Sequence, residues 1–452
     1  VGFNWDITGE RNLILRGGTG LFVGRMPFVW LVSAVGNSGM GQTSYVATPA
    51  NGKAIPTFTT DQSDMLRQIG ATSSTTVPAS PTILSEDLRM PKTWKASLAF
   101  DAKLPGDIDF TLEGIYNKDL NPVVVSNADI YWDGTSTVDL GHGDVRHKMS
   151  YYDASHSAYV LENAGKKAYY MSLSAQLHKS FDFGLDLTAS YTLSKAKSYT
   201  EGIGDQVSSA YNNYRNSINA VNDNELGYAT YVAPNRLLLS ASYKLKETKN
   251  ATSTFSLVYD GYQYGYLGSY AYSRYSYIFA SNVNSDPSAP GNLIYVPASR
   301  QELNSWDFKE STYGSTDDPK VYTADMQRDD FWEFICQDDY LKNRKGQYAE
   351  RGGAKMPWHH QLDFKYVRDM NVEIGKTKHA LQLGLDILNL PNFLCKDWGL
   401  FKQISGNTLL SYSKGQYTYN TVNSARHLKT SQNYLNTAST YQIMFTIRYL
   451  FN

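Results

Sequence analysis

The sequence predicts an all-β fold, an antiparallel transmembrane β-barrel with long extracellular loops. Three observations carry this expectation. Apolar and polar side chains alternate with period two in segment after segment, the connections alternate between short and long, and the chain closes on an aromatic-rich strand. Successive strand residues point to opposite faces, so strict alternation makes one face apolar and the other polar. A wall between lipid and a wet lumen needs such a pair of faces.

The elements follow in order. Val1–Trp5 reads as the end of an interrupted strand, which favours a truncated or processed chain. Leu13 to Val23 fits a strand less well, because Gly17, Gly18 and Gly20 interrupt it, and these glycines permit a bend or a close backbone approach. Trp94 to Leu104 and Ile108 to Tyr116 fit, joined by the tight turn Leu104-Pro105-Gly106-Asp107. Tyr169, Met171, Leu173, Ala175 and Leu177 alternate with Tyr170, Ser172, Ser174, Gln176 and His178. Leu185 to Ser194 and Leu237 to Lys246 repeat the pattern, followed by Phe255 to Gly261, His360 to Tyr366 and Leu381 to Ile387. The last strand, Thr440–Asn452, puts Tyr441, Ile443, Phe445, Ile447, Tyr449 and Phe451 on one face. That makes about ten strands, each near the ~9–11 residues that a tilted membrane strand requires. The expected long outer loops cover about 24–91, 118–167, 196–234, 262–357 and 390–437. Compact soluble domains seldom hold several loops beyond about 15 residues.

Composition narrows the classes further. The 452 residues carry 42 basic and 43 acidic side chains, a net charge of −1, and mean hydropathy is −0.42. Nucleic-acid binding, which needs clustered cations, is not expected. Aromatics at 13% exclude a disordered chain. No run reaches the ~18 apolar residues of a membrane helix, which leaves a strand-built membrane protein open. Tyr supplies 35 residues, and Tyr and Trp favour strands and membrane interfaces. Trp94, Tyr116, Tyr191, Tyr243, Tyr259, Trp358, Tyr366, Tyr441 and Tyr449 sit near strand ends, as an aromatic girdle would. Cys336 and Cys395 are too few for a disulfide scaffold and have no metal-ligand spacing.

Four stretches carry a family resemblance: VGFNWDITGERNLILRGGTGLFVGRMPFVWL (Val1–Leu31), FWEFICQDDYLKNRKGQYAERGGAKMPWHHQLDFKYVRDM (Phe331–Met370), LDILNLPNFLCKDWG (Leu385–Gly399) and YQIMFTIRYLFN (Tyr441–Asn452). Together they resemble the C-terminal half of Oar-like TonB-dependent outer-membrane receptors of the Bacteroidetes type, large receptors that begin with a carboxypeptidase-regulatory-like domain and a plug. The resemblance implies a 22-stranded barrel, of which this chain would be the C-terminal part, without plug, TonB box or N-terminal domain. It implies a location in the Gram-negative outer membrane and active import of a bulky nutrient, with outer loops capturing the ligand and TonB displacing the plug. Implied partners are outer-membrane lipid and lipopolysaccharide, the receptor's own plug, TonB, and a surface lipoprotein lid. Tyr441, Phe445, Tyr449 and Phe451 resemble the C-terminal signal read by the barrel assembly machinery.

Candidate sites follow from the face assignment. Arg16, Asp101, Lys103, Glu113, Asp186, Asp363, Lys365, Asp386 and Arg448 are expected to face the lumen and contact plug or solute. No catalytic residue, cofactor or metal is expected. His359 and His360 are adjacent on a strand, so they point apart and cannot easily share an ion. His142, His147 and His156 with Ser150, Ser155 and Ser157 lack a nucleophile elbow and read as loop polar residues. Asp317-Asp318 and Asp338-Asp339 read as solvated loop charge. Met326 to Tyr340 reads as an amphipathic helix on the barrel mouth, Tyr259 to Tyr277 as an outer aromatic surface, and Met26 to Val32 as ordinary loop packing. A passive porin-like channel, an outer-membrane enzyme and a β-rich surface binding protein are the alternatives.

Overall fold

The computed structural model describes residues 1–38, 52, 55–70, 80–153, 155–201, 204, 206–213, 215–286, 291–375 and 377–451. Parts of the expected first loop (39–51, 53–54 and 71–79) and the expected final residue Asn452 lie outside them. Among the described residues one sheet of twelve strands dominates, and eleven of these neighbour one another in chain order. They are β1 (Gly2–Asp6), β2 (Leu13–Val23), β3 (Lys92–Leu104), β4 (Ile108–Asp119), β5 (Tyr169–Ser180) and β6 (Leu185–Ser198). Next come β7 (Asn235–Thr248), β8 (Ala251–Gln263), β9 (Trp358–Ile374), β10 (Thr377–Leu388) and β11 (Gln442–Phe451). The short strand Gly227–Tyr228 adds to the end of β6. Every pairing along the wall is antiparallel. Strands β1 and β11 are the two ends of this order, and they do not pair with each other among the described residues.

The alternation read from the sequence survives as register. Directly opposed residues share a face, so one face can be followed across the sheet. Arg16 opposes Ala99, which opposes Glu113, then Ser174, then Thr192. Further on, Asp186, Ser242, Ser256, Lys365, Asp386 and Met444 oppose one another in turn. The other face runs Leu15, Phe100, Leu112 and Ala175, and later Leu257, Phe364, Ile387 and Ile443. Among the described residues only β7/β8 shows an irregularity within the wall, at Lys246/Thr248 beside the turn. Gly17 meets its neighbours closely, as a Cβ there would lie 2.8 Å from the Ser97 carbonyl oxygen and 2.9 Å from the Phe3 ring.

The apolar face is not covered. Leu98 is 54% exposed, Phe445 79% and Ile447 77%. In water such a continuous apolar band would drive association; against hydrocarbon it has its natural neighbour. Strand ends differ from the sequence reading, and β9, the largest case at 17 residues, runs eight residues past the expected end at Tyr366, to Ile374. Tyr441 falls one residue before β11 and donates its backbone N–H to Asn392 Oδ1 at 3.2 Å.

The buried core lies outside the wall, in the long connections. Segments 264–357 and 389–441 pack together with Leu140 into one cap, whose buried side chains include Tyr277, Leu303, Trp306, Phe331, Phe334, Leu410 and Tyr419. The helix α2 (Ala324–Gln337) is amphipathic as read: Phe331, Phe334 and Ile335 are fully buried in this core, Asp330 is buried beside them, and Asp325 and Asp329 are exposed. Two other expectations are corrected. Tyr272, Tyr275 and Tyr277 are core residues rather than an outer surface, while Tyr270 remains 67% exposed. Asp338 is buried rather than solvated. The run Met26 to Val32 begins helix α1 (Phe28–Gly36), whose Trp30 packs with Met26, Val125, Leu161 and Tyr211 in a second, smaller core.

The cap and the wall should therefore respond differently to mutation. Phe331 has ring neighbours at 5.2 Å (Tyr419) and 6.4 Å (Trp306). Phe331→Ala should cost the cap about 3–5 kcal/mol. Limited proteolysis should then cut within residues 264–357 at lower urea concentration, while the wall keeps its resistance to SDS at ambient temperature. Unchanged cleavage would show that the cap does not depend on this core.

Candidate functional site

Two regions carry chemistry: the polar face of the wall and the cap. The register puts all nine sequence-selected charges on one face, but they form separate clusters. Arg16 Nε donates to Asp101 Oδ2 at 2.8 Å, and its Nη1 lies 3.6 Å from Glu113 Oε1. Thr111 Oγ1 donates to the other Asp101 oxygen at 2.7 Å. Lys103 stands 4.0 Å from Asp109. His178 bridges to Asp186 (2.9 Å) and Asp109 (3.6 Å), and Ser180 Oγ donates to Asp186 at 2.5 Å. Lys365 Nζ meets Asp386 Oδ1 at 2.8 Å. Asp363 accepts from the Gln361 amide at 3.0 Å and from the Asn389 backbone N–H at 2.8 Å. Arg448 opposes Gln382 and makes no ion pair among the described residues.

Two partners on this face were not selected from the sequence. His178 sits on the polar parity and joins two acids. Arg236 pairs with Asp260 through Nε at 3.0 Å and Nη2 at 2.7 Å. Arg236 lies one residue before the alternating run that begins at Leu237, so only the extension of β7 back to Asn235 brings it onto the wall. The C-terminal residues Phe445, Tyr449 and Phe451 share the apolar face and are largely exposed. The Tyr449 hydroxyl lies 2.5 Å from His379 Nδ1.

The cap is held by buried charge. Asp144 and Arg146 form a two-pronged pair at 2.8 and 2.9 Å, both fully buried, and Tyr348 donates its hydroxyl to Asp144 at 2.8 Å. Asp330 accepts from Nε and Nη2 of Arg426 and from the Tyr322 hydroxyl, the last at 2.5 Å. Asp338 accepts from Tyr277 (2.6 Å), Thr430 (3.0 Å) and the backbone N–H of Tyr340 and Leu341. Burial, and the acids beside them, push the Tyr277, Tyr322 and Tyr348 hydroxyls far above the ordinary tyrosine range, so they stay neutral donors.

No group of three or more metal-type ligands occurs among the described residues. His359 is buried and stacked 3.6 Å from Phe401, whereas His360 is exposed and bonded to the Tyr259 hydroxyl at 2.7 Å. The two rings point apart. In the Asp153, Ser155 and His156 group, both Ser155 Oγ (2.9 Å) and Asp153 Oδ2 (2.6 Å) meet the same ring nitrogen, Nδ1. A nucleophile–base–acid relay needs the two nitrogens on different partners, so this is a polar turn. His142 stacks on Trp306 and His147 on Trp132.

The cap also encloses clefts. One of about 440 Å³ is lined by Asn212, Asn213, Tyr231, Tyr270, Arg274 and Asn407. A larger one of about 870 Å³ lies among Tyr340, Lys355, Trp358 and Lys429.

A twelve-stranded antiparallel sheet with one apolar exposed face and one ion-paired face is the geometry of a membrane wall, and a family model described as outer membrane beta barrel domain matches residues 1–429. The chain belongs to this family. It is an all-β protein of the outer membrane. No curated protein matches it. Among solved structures it is similar to a mutant of the ferric enterobactin receptor PfeA from Pseudomonas aeruginosa, at 10% identity and TM-score 0.39, over 97% of this chain and 38% of that one. It is likewise similar to the outer membrane transporter YddB from Escherichia coli, at 10% identity and TM-score 0.41, over 98% and 40%. The chain thus spans about two fifths of the length of either protein.

His427 makes the cap sensitive to acid. Its ring is buried between Phe334 (4.7 Å) and Tyr419 (6.0 Å), and burial lowers its pKa from 6.5 to about 4. A lowered folded pKa means that the neutral ring's contribution is full above pH 6.5 and is lost as pH falls toward 4. Buried Glu201 and Glu225, whose pKa values are raised, act in the opposite sense. Comparison with His427→Phe isolates the histidine. The cap should loosen toward proteolysis between about pH 6.5 and 4 in the native protein, and less so in the variant. Identical pH profiles would contradict this.

Proposed function

We propose that this chain forms the C-terminal part of the barrel wall and the ligand-capture cap of an Oar-like TonB-dependent receptor that imports a bulky nutrient. In this reading the polar face lines the lumen and meets the plug. The apolar face meets lipid, and further strands complete a barrel of 22. A spanning sheet cannot leave rows of backbone N–H and C=O groups unpaired in hydrocarbon, so the outer edges of β1 and β11 need partner strands.

The observation that carries the proposal is the register that keeps nine selected charges on one face, mostly satisfied by neighbours on that face. Local pairing suits a surface that must be wet yet contact a removable plug. The cap suits capture. Its loops share one core, and its smaller cleft is lined by tyrosine and asparagine, which offer flat apolar area beside hydrogen-bonding groups. Residues 1–429 match an outer-membrane barrel family, which supports the setting.

The test uses the full protein in a planar bilayer with potassium chloride. A plugged importer should show no steady conductance until urea unseats the plug. Asp386→Ala leaves Lys365 without its partner on the polar face. It should lower the urea concentration at which conductance appears. Steady conductance of the native protein would favour a passive channel. An unchanged urea threshold would remove Asp386 from the plug contact.

A further inference from the structure

Where β5 and β6 approach the cap, the apolar face ends in a cleft of about 530 Å³. Met171, Leu173 and Leu193 form its apolar part and are 41%, 48% and 46% exposed. Lys195, Arg274 and Lys355 line the same cleft around Tyr228. Arg274 comes from the cap, is buried, and is fixed by donating to the Gly352 and Gly353 carbonyls at 3.2 and 3.3 Å. Its guanidinium lies 4.4 Å from the centre of the Tyr228 ring, and the Lys195 ammonium lies 5.9 Å from it.

The charges do not balance. Arg274 opposes Lys355 directly in a two-stranded ladder, which sets two cations side by side. Burial and the Arg274 charge hold the Lys355 ammonium below its ordinary range. The nearby acid, Glu350, is engaged by Lys197 at 3.6 Å and Arg344 at 3.5 Å. Among the described residues Lys195, Arg274 and Lys355 have no ion-pair partner. The level along the wall is marked independently by an aromatic row, with Trp94, Tyr116 and Tyr169 at successive centroid spacings of 5.9 and 6.4 Å. Tyr169 opposes Lys197 in the register. Aromatic rows of this kind sit where hydrocarbon gives way to headgroups.

We propose that this cleft binds an outer-leaflet lipid whose phosphate-bearing headgroup is net anionic. The phosphate sits among Lys195, Arg274 and Lys355, and an acyl chain lies along Met171, Leu173 and Leu193. Unpaired cations beside exposed apolar side chains match an amphiphile with an anionic head, and a free anion would leave the apolar strip unused. The site ties the cap, through Arg274 and Lys355, to the lipid around β5 and β6. The inference rests on the apolar face meeting lipid and is independent of the import reading, so its failure leaves that reading standing.

Native mass spectrometry of the full protein tests it, in a zwitterionic detergent with equimolar dioleoyl phosphatidic acid and dioleoyl phosphatidylcholine. Phosphatidic acid should be retained preferentially. Retention should fall roughly fivefold for each cation removed in Lys195→Gln and Lys355→Gln. Lys396→Gln, at an exposed lysine elsewhere, should change nothing. Equal retention of the two lipids would overturn the proposal, as would an undiminished preference in the double variant. Inorganic phosphate bound as tightly as the lipid would overturn the lipid as occupant.

Discussion

The rest of the structure depends on lateral pairing of the backbone. In hydrocarbon no water can satisfy an N–H or C=O, so a strand that crosses must be bonded along its length to its neighbours. Ten antiparallel pairings in chain order meet that demand, and they fix the register as they do so. Once the register is fixed, the side-chain faces follow, because a slip of one residue would turn every apolar side chain to the polar side. The run from Arg16 through Glu113 to Thr192, and that from Asp186 through Lys365 to Asp386, are products of this pairing.

The same constraint explains where the core is. A single sheet with lipid on one side has no second layer to pack against, so the wall buries little. Burial collects in the cap, where connections are long enough to fold on one another. There the polar groups left among Tyr277, Phe331 and Tyr419 are paired: Asp338 with Tyr277, and Asp330 with Arg426 and Tyr322. Removing one partner of such a buried pair costs more than the pair contributes, so these acids hold the cap in one arrangement. Arg274 belongs to both regions, since it is anchored to cap carbonyls and stands beside wall residues of β5 and β6.

The wall was legible in the sequence because its signal is local. Leu237, Leu239, Ala241 and Tyr243 alternate with Leu238, Ser240 and Ser242, and no distant residue is needed to read that. The parity also sorted Asp101, Glu113 and Lys365 onto one face before their neighbours were known. The cap was not legible, because its contacts join distant parts of the chain: Phe334 meets His427, and Tyr417 donates to the carbonyl of Leu140. A tyrosine such as Tyr277 looks like surface when its partner Asp338 is 61 residues away. Asp338 looked solvated for the same reason, since two tyrosine- and threonine-borne hydroxyls and two backbone N–H groups from other positions take the place of water. Arg236 was missed because strand ends are set by pairing with β8 rather than by alternation.

The most direct test of the two-faced wall is residue-by-residue environment along one central strand in the membrane. With Cys336 and Cys395 replaced by serine, single cysteines at 238 to 243 in β7 would carry a nitroxide label in the full protein. Collision with oxygen and with a water-soluble nickel chelate would then be measured at each position. The account predicts opposite, period-two oscillations, with oxygen access high at 239, 241 and 243 and chelate access high at 238, 240 and 242. Access to both probes that does not alternate, or alternation in the opposite phase, would contradict it.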